Sequence, residues 1–394
     1  MRLVIPSALR RIALGLSAAL PLLLSGCWSK QELNDRSFVS TLMIDRTEEG
    51  LTEVSAMFLL PNRVTTGLSN STTNQKPYAL VSGRGRDIAE AFQRFQRDLP
   101  RYVTWGHMQV IIVGDRYARA GLAPLLDFLV RMPDFRLRVY VFHFAGEARE
   151  LSKISSLFER FPTEVWREFA HMKQAPPVQS RELLYAQWNN LGDGYLPGLN
   201  LGHKDIPTER ERVEWSGIAP AALIKDNKVT DLFTEEETTG VLLLNSRVPE
   251  TVFTVPIPGP GNGLASARLV DVTQRTGASR RGDRVTIRTR IRAEADLITI
   301  QSPLDLTKPE SIRKIERALE ERLGELAAAA ARKARAHQAD AFQWSEYVKY
   351  GYPSLWKKWS GSLRENLAEN VSPKFDVRVH LRNTGESRSS LTNK

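Results

Sequence analysis

Residues 86–113 read RDIAEAFQRFQRDLPRYVTWGHMQVIIV, a helix pattern followed at once by a strand pattern. Ile88, Phe92, Phe95 and Leu99 recur at helical spacing, and Pro100 ends the run. Met108–Val113 is a short apolar run, which predicts a strand buried on both faces. Downstream, 115–131 is again helical in pattern. Residues 137–144, LRVYVFHF, are rich in β-branched and aromatic residues and predict a strand, with a helix at about 147–157. Upstream, Phe38–Ile44 and 53–60 read as strands and 65–77 as a polar loop. This alternation predicts a mixed sheet with helices packed on it, hence an α+β or mixed α/β fold.

Two stretches break the pattern. Residues 189–212 contain NNLGDGYLPGLNLGHKDIP, dense in Gly, Pro and Asn, and residues 256–263 read PIPGPGNG. Each is a candidate boundary. They divide the chain into an N-terminal mixed α/β domain at 27–200, a small middle domain at 201–265 and a C-terminal α/β domain at 266–384. Within the middle segment, AALIK and KVTDLF flank an Asp226-Asn227 turn. Thr234, with Glu237 three residues on, forms a capping box. In the last third, Val285, Ile287, Thr289, Ile291, Ala293, Ala295 and Leu297 alternate with polar residues, so one face of that strand is charged. Thr307–Glu310 reads as another capping box. It opens a long helix to about Ala339, with Ile312, Ile315, Leu319, Leu323 and Leu326 as its apolar stripe. FDVRVHLR at 375–382 is a second alternating strand, and the polar residues 385–394 form a disordered tail.

The N-terminus carries a different signal. Arg2, Arg10 and Arg11 precede the apolar run Ile12–Leu24, which is too short to span a bilayer comfortably. Leu24-Ser25-Gly26-Cys27 follows. A large apolar residue, two small ones and a cysteine form the lipobox of bacterial lipoproteins. The small residues fit the signal peptidase, and the thiol accepts a diacylglycerol. Cys27 is the only cysteine among 394 residues, so no intramolecular disulfide and no multi-cysteine zinc site can form. The expected product is a chain cleaved after residue 26, S-diacylated and N-acylated at Cys27, and held on a membrane surface by those chains. The net charge of +10 falls to +7 without residues 1–26. That excess suits an anionic surface or an acidic partner.

Catalytic signatures are missing. The histidines at 107, 143, 171, 203, 337 and 380 have no metal-ligand spacing. Ser82-Gly83-Arg84-Gly85-Arg86 lacks the third glycine and the Walker lysine, and reads as a turn before the helix at 87. No GxSxG elbow occurs. Arg281-Gly282-Asp283 fits a hairpin turn rather than an adhesive site. Arg288, Arg290 and Arg292 make a basic ladder that reads first as a solvated sheet face, with phosphates or an acidic partner as the alternative. Trp344, Trp356 and Trp359, with Tyr347, Tyr350 and Tyr352, suit an interface or a core equally. No cofactor, metal or nucleic acid is implied.

In order, these pieces resemble the Ger(x)C lipoproteins, the C subunits of nutrient germinant receptors in endospore formers. The matching residues are Gly26-Cys27-Trp28 with Glu32-Leu33-Asn34-Asp35, Gly85-Arg86, RDLPRYVTWGHMQVIIVG at 97–114 and LDFLVRMPDFRL at 126–137. The long helix, Tyr350-Gly351-Tyr352-Pro353 with Trp356, and Arg382-Asn383-Thr384-Gly385 complete the set. Ser29 and Met43-Ile44-Asp45 depart from the common Asp and Gly-Ile-Asp. The resemblance implies a three-domain mixed α/β protein without enzymatic activity. It would sit on the outer surface of the spore inner membrane, beside an integral A subunit and a permease-like B subunit. Two rivals are a solute-binding lipoprotein feeding a transporter and a surface hydrolase with a carboxylate pair.

Overall fold

In the computed structural model the fold is described for residues 35–60, 76–132, 134–156, 159–189, 191–204, 213–245, 248–258 and 263–385, together with Ala8 and Arg11. Leu24, Ser25, Gly26 and Cys27, most of the 65–77 loop and the tail from 386 lie outside them. Among the described residues, nine strands form one sheet and four form another. The expected mixed sheets packed with helices are present, in a multi-domain α+β chain.

The first sheet begins with β1 (Arg36–Arg46), β2 (Thr52–Leu59) and β3 (Tyr78–Gly85), an antiparallel meander. Helix α1 (Ile88–Arg97) follows, capped by Asp87, whose carboxylate accepts from Glu90 N at 2.8 Å. β4 (Tyr102–Thr104) and β5 (Val110–Gly114) then run parallel to β1. Val110–Val113 are fully buried, as the unbroken apolar run requires. The turn expected at 82–86 is instead the end of β3. Gly83 and Gly85 let α1 lie on the strand: a Cβ on either would stand 2.2 Å from Ala91 O or 2.4 Å from Ala91 N.

The single helix expected over 115–131 is two, α2 (Asp115–Ala120) and α3 (Ala123–Arg131). They break at Gly121, whose φ of +137° only glycine adopts readily. β6 (Tyr140–Phe144) continues the parallel order, and 147–157 contains a 3-10 helix, Ala148–Lys153, rather than an α-helix. Helices α4 (Pro162–His171) and α5 (Ser180–Trp188) precede β7 (Gly194–Lys204), β8 (Val213–Lys225) and β9 (Lys228–Leu232). Helices α1, α2, α3 and α5 cover one face of the sheet, and α4 with the 3-10 helix covers the other.

β7 occupies the first stretch read as a boundary. Its Pro197 falls at a bulge, where no ladder N–H is needed. At Gly198 a Cβ would stand 2.1 Å from Pro220 O, so the Gly and Pro content fits close strand pairing. The segment expected to be a small middle domain, 201–265, divides its strands between the two sheets. β8 and β9 close the first sheet about Asp226 and Asn227, at φ +52° and +60°. Beyond them, β10 (Val252–Ile257) opens the second. Between these lies α6 (Glu235–Leu244), whose capping box is formed: Thr234 Oγ1 accepts from Glu237 N, and Glu237 Oε2 accepts from Thr234 N at 2.8 Å.

The second sheet has the order β10, β11 (Gly263–Arg281), β12 (Arg284–Gln301) and β13 (Val371–Asn383). Pro256 sits on the edge strand β10, where a missing N–H is tolerated. The RGD triplet turns the β11–β12 hairpin, with Gly282 at φ +64°. Val285 to Ala295 of β12 alternate buried and exposed as the sequence requires. The inward residues meet α7 (Pro309–Ala336), whose Ile315, Leu319, Leu323 and Leu326 are buried. The expected Thr307 capping box is not formed. The cap residue is Lys308, and Thr307 Oγ1 donates to Asp305 Oδ1 at 2.6 Å. Ala221 and Leu223 of β8 join this second core, while Ala222 and Ile224 face the first, so β8 is shared.

β13 is an edge strand, and an open edge invites pairing with another chain. Here α7 blocks it. Glu316 Oε1 accepts from Leu381 N at 3.0 Å and Glu320 Oε1 from Val379 N at 3.2 Å. Arg313 holds both carboxylates. Helices α8 (Trp344–Gly351), α9 (Pro353–Trp359) and α10 (Leu363–Asn370) return the chain to β13. The aromatic segment resolves to a core: Trp344 and Trp359 are buried against Val285, Ile287 and Val371, and Tyr350 is exposed.

Candidate functional site

Cys27 and its lipobox precede the first strand, and their geometry lies outside the described residues. Among the described residues, no helix is long and apolar enough to cross a membrane.

Among the described residues, no cluster of three His, Cys, Asp or Glu side chains could hold a metal. His143 on β6 is buried, and its Nε2 lies 3.1 Å from Asp115 Oδ1 at the start of α2. The His143 bond and then Arg119 hold Asp115 down to about 2. A hydrolytic triad needs a hydroxyl or thiol on the other ring nitrogen. Among the described residues the partner of His143 is Asp115, which ties β6 to α2.

Asp45, at the end of β1, is 4% exposed and accepts from Ala148 N at 2.7 Å and Arg149 N at 3.2 Å. It thereby caps the 3-10 helix. Burial pushes its pKa up to about 6 against those two bonds. Gly114 makes room for it: a Cβ there would stand 2.0 Å from Asp45 Oδ1.

Beside this point, a cavity of about 540 Å³ opens between the β1–β2 turn, the start of α1, and helices α2 and α3. Arg46, Ile88, Phe128 and Met132 line it. Tyr117 of α2 also lines it. Its hydroxyl is buried and has no hydrogen-bond partner among the described residues. Burial pushes that phenol well above its ordinary pKa. At the rim Arg131 Nε donates to Asp127 at 2.8 Å, and Arg86 Nε to Glu90 at 2.9 Å. The arrangement can hold a small, partly apolar solute.

A second polar constellation lies where the two halves of the chain meet. Asp193, between α5 and β7, has a side chain only 1% exposed. Its oxygens accept from Asp226 N at 2.9 Å and Asp340 N at 2.8 Å. Arg364 of α10 grips both of them. Asp340 accepts from Trp344 N and Ser345 N at the start of α8, and burial pushes it up to about 7. Sequence reading gave none of these four a role at a junction. Asp226 alone lay in a motif, the Asp-Asn turn, and a turn does not reveal which distant groups converge on it.

The quoted signature residues act mainly as packing. Trp105 stacks on Phe135 with centroids 4.8 Å apart, joining the 97–114 and 126–137 segments, and Phe92 and Phe95 close around the indole. Tyr352 OH donates to Ala278 O at 3.1 Å, and Arg382 holds Asp296 through Nε at 2.9 Å and Nη2 at 3.0 Å.

Comparison with known proteins matches this framework. Residues 29–201 match the family described as spore germination protein N-terminal domain. Residues 219–385 match that described as spore germination B3/GerAC like, C-terminal. A putative spore germination protein YfkR of Bacillus subtilis strain 168 is 27% identical over 301 residues, covering 76% of this chain and 77% of that protein. Spore germination protein KC of the same strain is 20% identical over 382 residues, covering 92% and 93%. The crystal structure of the GerBC protein shares the fold, with a TM-score of 0.53 at 16% identity, over 87% of this chain and 97% of that one. With both halves matched in order and the fold shared, the chain belongs to the Ger(x)C family of spore germination proteins.

Proposed function

We propose that this chain is a lipid-anchored, non-enzymatic subunit of a nutrient germinant receptor, required to assemble a complex that responds to nutrients. The observation that carries the reading is the lipobox Leu24-Ser25-Gly26-Cys27 at the head of a chain of this family. Diacylation of Cys27 and acylation of its freed amine would supply enough buried methylenes for stable anchoring, at about 0.8 kcal/mol each. The body would then lie on the outer surface of the spore inner membrane, beside an integral A subunit and a permease-like B subunit. Among the described residues His143 has no hydroxyl partner, and the carboxylates of Asp45 and Asp193 are occupied by backbone N–H groups; both facts favour a scaffold over a catalyst.

Two measurements test this. Replacing Cys27 by Ala should abolish lipid attachment, seen as loss of acyl mass on the mature chain; an unchanged acylated mass would sink the anchor. Deleting the gene should remove the response to one nutrient or nutrient mixture. Unaltered germination toward every nutrient tried would sink the receptor role.

The cavity beside Tyr117 favours a second reading, a solute-binding lipoprotein that passes a small nutrient to a transporter. A thermal-shift screen with amino acids and sugars separates the two. A ligand at a hundred times its Kd would stabilise the fold by about 2.7 kcal/mol, and no shift would be expected of a purely assembling subunit.

A further inference from the structure

The outward face of the second sheet carries a block of like charge. On β12, Arg288, Arg290 and Arg292 all point away from α7 and are exposed. Their cross-strand neighbours repeat the sign. Arg275 of β11 stands opposite Arg290, and on β13 Lys374 and Arg378 stand opposite Arg288 and Arg292. Like charges directly opposite in a sheet destabilise it. Asp376 lies among them, and Arg378 pairs with it and with Glu320 of α7, each at 3.7 Å; Glu294 and Asp271, opposite each other, bound the block beyond Arg292. Among the described residues, no ion pair is formed by Arg275, Arg288, Arg290, Arg292 or Lys374.

The other end of the same sheet behaves differently. There Asp296 is held by Arg382 at 2.9 Å and by Arg268 at 3.5 Å. The fold therefore neutralises guanidinium groups where it has carboxylates to do so, Arg378 at the block's edge included, and leaves Arg275, Arg288, Arg290, Arg292 and Lys374 without an ion pair among the described residues. Side chains on one strand face repeat every ~7 Å and neighbouring strands lie ~4.8 Å apart, so the block is a near-planar grid. Its remaining outward positions are small or polar: Thr273, Gly277, Thr286 and Ser372. A protein partner would need a buried aromatic or apolar anchor, and this block offers none. A plane of phosphodiester groups needs no anchor, and each guanidinium can grip a phosphate with two N–H bonds.

We propose that this face docks on the anionic headgroups of a phospholipid bilayer. The inference rests in part on the lipid-anchor reading: Asp35 is eight residue steps from Cys27, a reach of about 27 Å when extended, which keeps the body against the membrane. The anchor would hold the chain at the bilayer; the arginine grid would set which side of the body faces it.

The test separates the two claims. Every member of the four hydrophobic cores lies between Val39 and Leu381, so the unlipidated polypeptide 28–394 carries the whole folded body. Its co-sedimentation is measured with phosphatidylcholine vesicles and with vesicles containing a third phosphatidylglycerol. Binding is expected only to the anionic vesicles and should fall as salt is raised. The triple variant Arg288→Ser, Arg290→Ser, Arg292→Ser should lose about five-fold in partitioning per arginine. Its melting temperature should be equal or higher, because like-charge repulsion is relieved. On the lipidated protein in the same vesicles, Lys374 should be protected from amine labelling by the anionic lipid alone.

Equal binding to both vesicle types, equal binding by the variant, or unprotected Lys374 would each overturn the assignment. So would arginine-dependent binding to poly-L-glutamate with none to vesicles, which would make the occupant an acidic protein surface. A chain that proves not to be lipidated would leave the vesicle result standing.

Discussion

Arg364 closes the junction between the two halves of the chain by placing Nη1 2.6 Å and Nη2 2.8 Å from the two carboxylate oxygens of Asp193. The same guanidinium donates to Leu191 O at 2.9 Å and Gln338 O at 3.1 Å, and reaches Asp226. A planar fork on a buried carboxylate is a geometry that lysine cannot reproduce.

Arg364→Ala should therefore cost about 3–5 kcal/mol, because it strands the buried Asp193 charge. Arg364→Lys should recover only part of this. Adding Asp193→Asn to Arg364→Ala should return stability by removing the stranded charge, read as urea-unfolding midpoints. If the single and double variants are equally unstable, the pair is not what holds the junction.

Stability should fall as pH rises from about 4 to 7. Burial pushes Asp45 up to about 6 and Asp340 up to about 7, against about 3.9 for an unfolded aspartate. Below pH 4 each is protonated in both states and carries no penalty. Between 4 and its folded value each binds its proton more tightly in the folded chain, so every step upward costs stability, at most about 1.4 kcal/mol per pH unit per group. Above 7 the full penalty is present. Asp115, held down to about 2 by His143 and Arg119, acts in the opposite sense and loses its contribution only below pH 4. Urea unfolding at pH 5 and 7.5 measures the trend, and Asp340→Asn should flatten its upper part. A flat profile in the parent protein would contradict the burial argument.

Two glycines in helices should respond to alanine in opposite ways. At Gly240 of α6 a Cβ would stand 2.1 Å from Leu326 O of α7, so the helices must separate. The strain of overpacking, about 1–3 kcal/mol, should exceed the gain of about 1 kcal/mol in helix propensity. At Gly324 the nearest atom would be Val377 Cγ2 at 3.8 Å, an ordinary contact, so alanine should stabilise by about 0.5–1 kcal/mol. Thermal melts of the two variants give the signs.

Glu316→Ala should leave the Leu381 N–H without its acceptor, at a cost of about 1–3 kcal/mol. With Glu320→Ala as well, the β13 edge loses both caps. Amide exchange at Val379 and Leu381 should quicken, and the double variant should associate with concentration as an open edge does. Glu316→Gln keeps an acceptor oxygen and should be milder. Unchanged exchange at both amides would show that the carboxylates are not the edge block.

Where the pattern was local, the sequence alone told the structure. Ile88 and Phe95 are buried on one helix face with Phe92 half-buried beside them, as the 3.6-residue spacing requires, and the period of two from Val285 to Ala295 is buried as a strand face. The Thr234 capping box and the Asp226-Asn227 turn also formed, whereas at Thr307 the neighbouring Asp305 took the hydroxyl and the equally local box did not form. The proposed lipobox around Cys27 is also a local signal, and the acyl mass of the mature chain, not the fold, is what would test it.

Tertiary structure alone decided everything that depends on which distant segments meet. Gly198 and Pro197 look like a linker until β6 and β8 lie on either side of them, and Gly83 and Gly85 look like a turn until α1 presses on β3. Gly121 splits a helix that apolar spacing ran as one. Strand pairing drew residues read as a middle unit into two sheets, because a ladder of backbone bonds has no period along the chain that names its partner. For the same reason the Asp193–Arg364 clasp, its ends 171 positions apart, could be seen only once the halves were packed together. The basic ladder of Arg288, Arg290 and Arg292 was legible as alternation. That Arg275, Lys374 and Arg378 stand opposite it was settled by register, which side-chain packing fixes and local sequence does not.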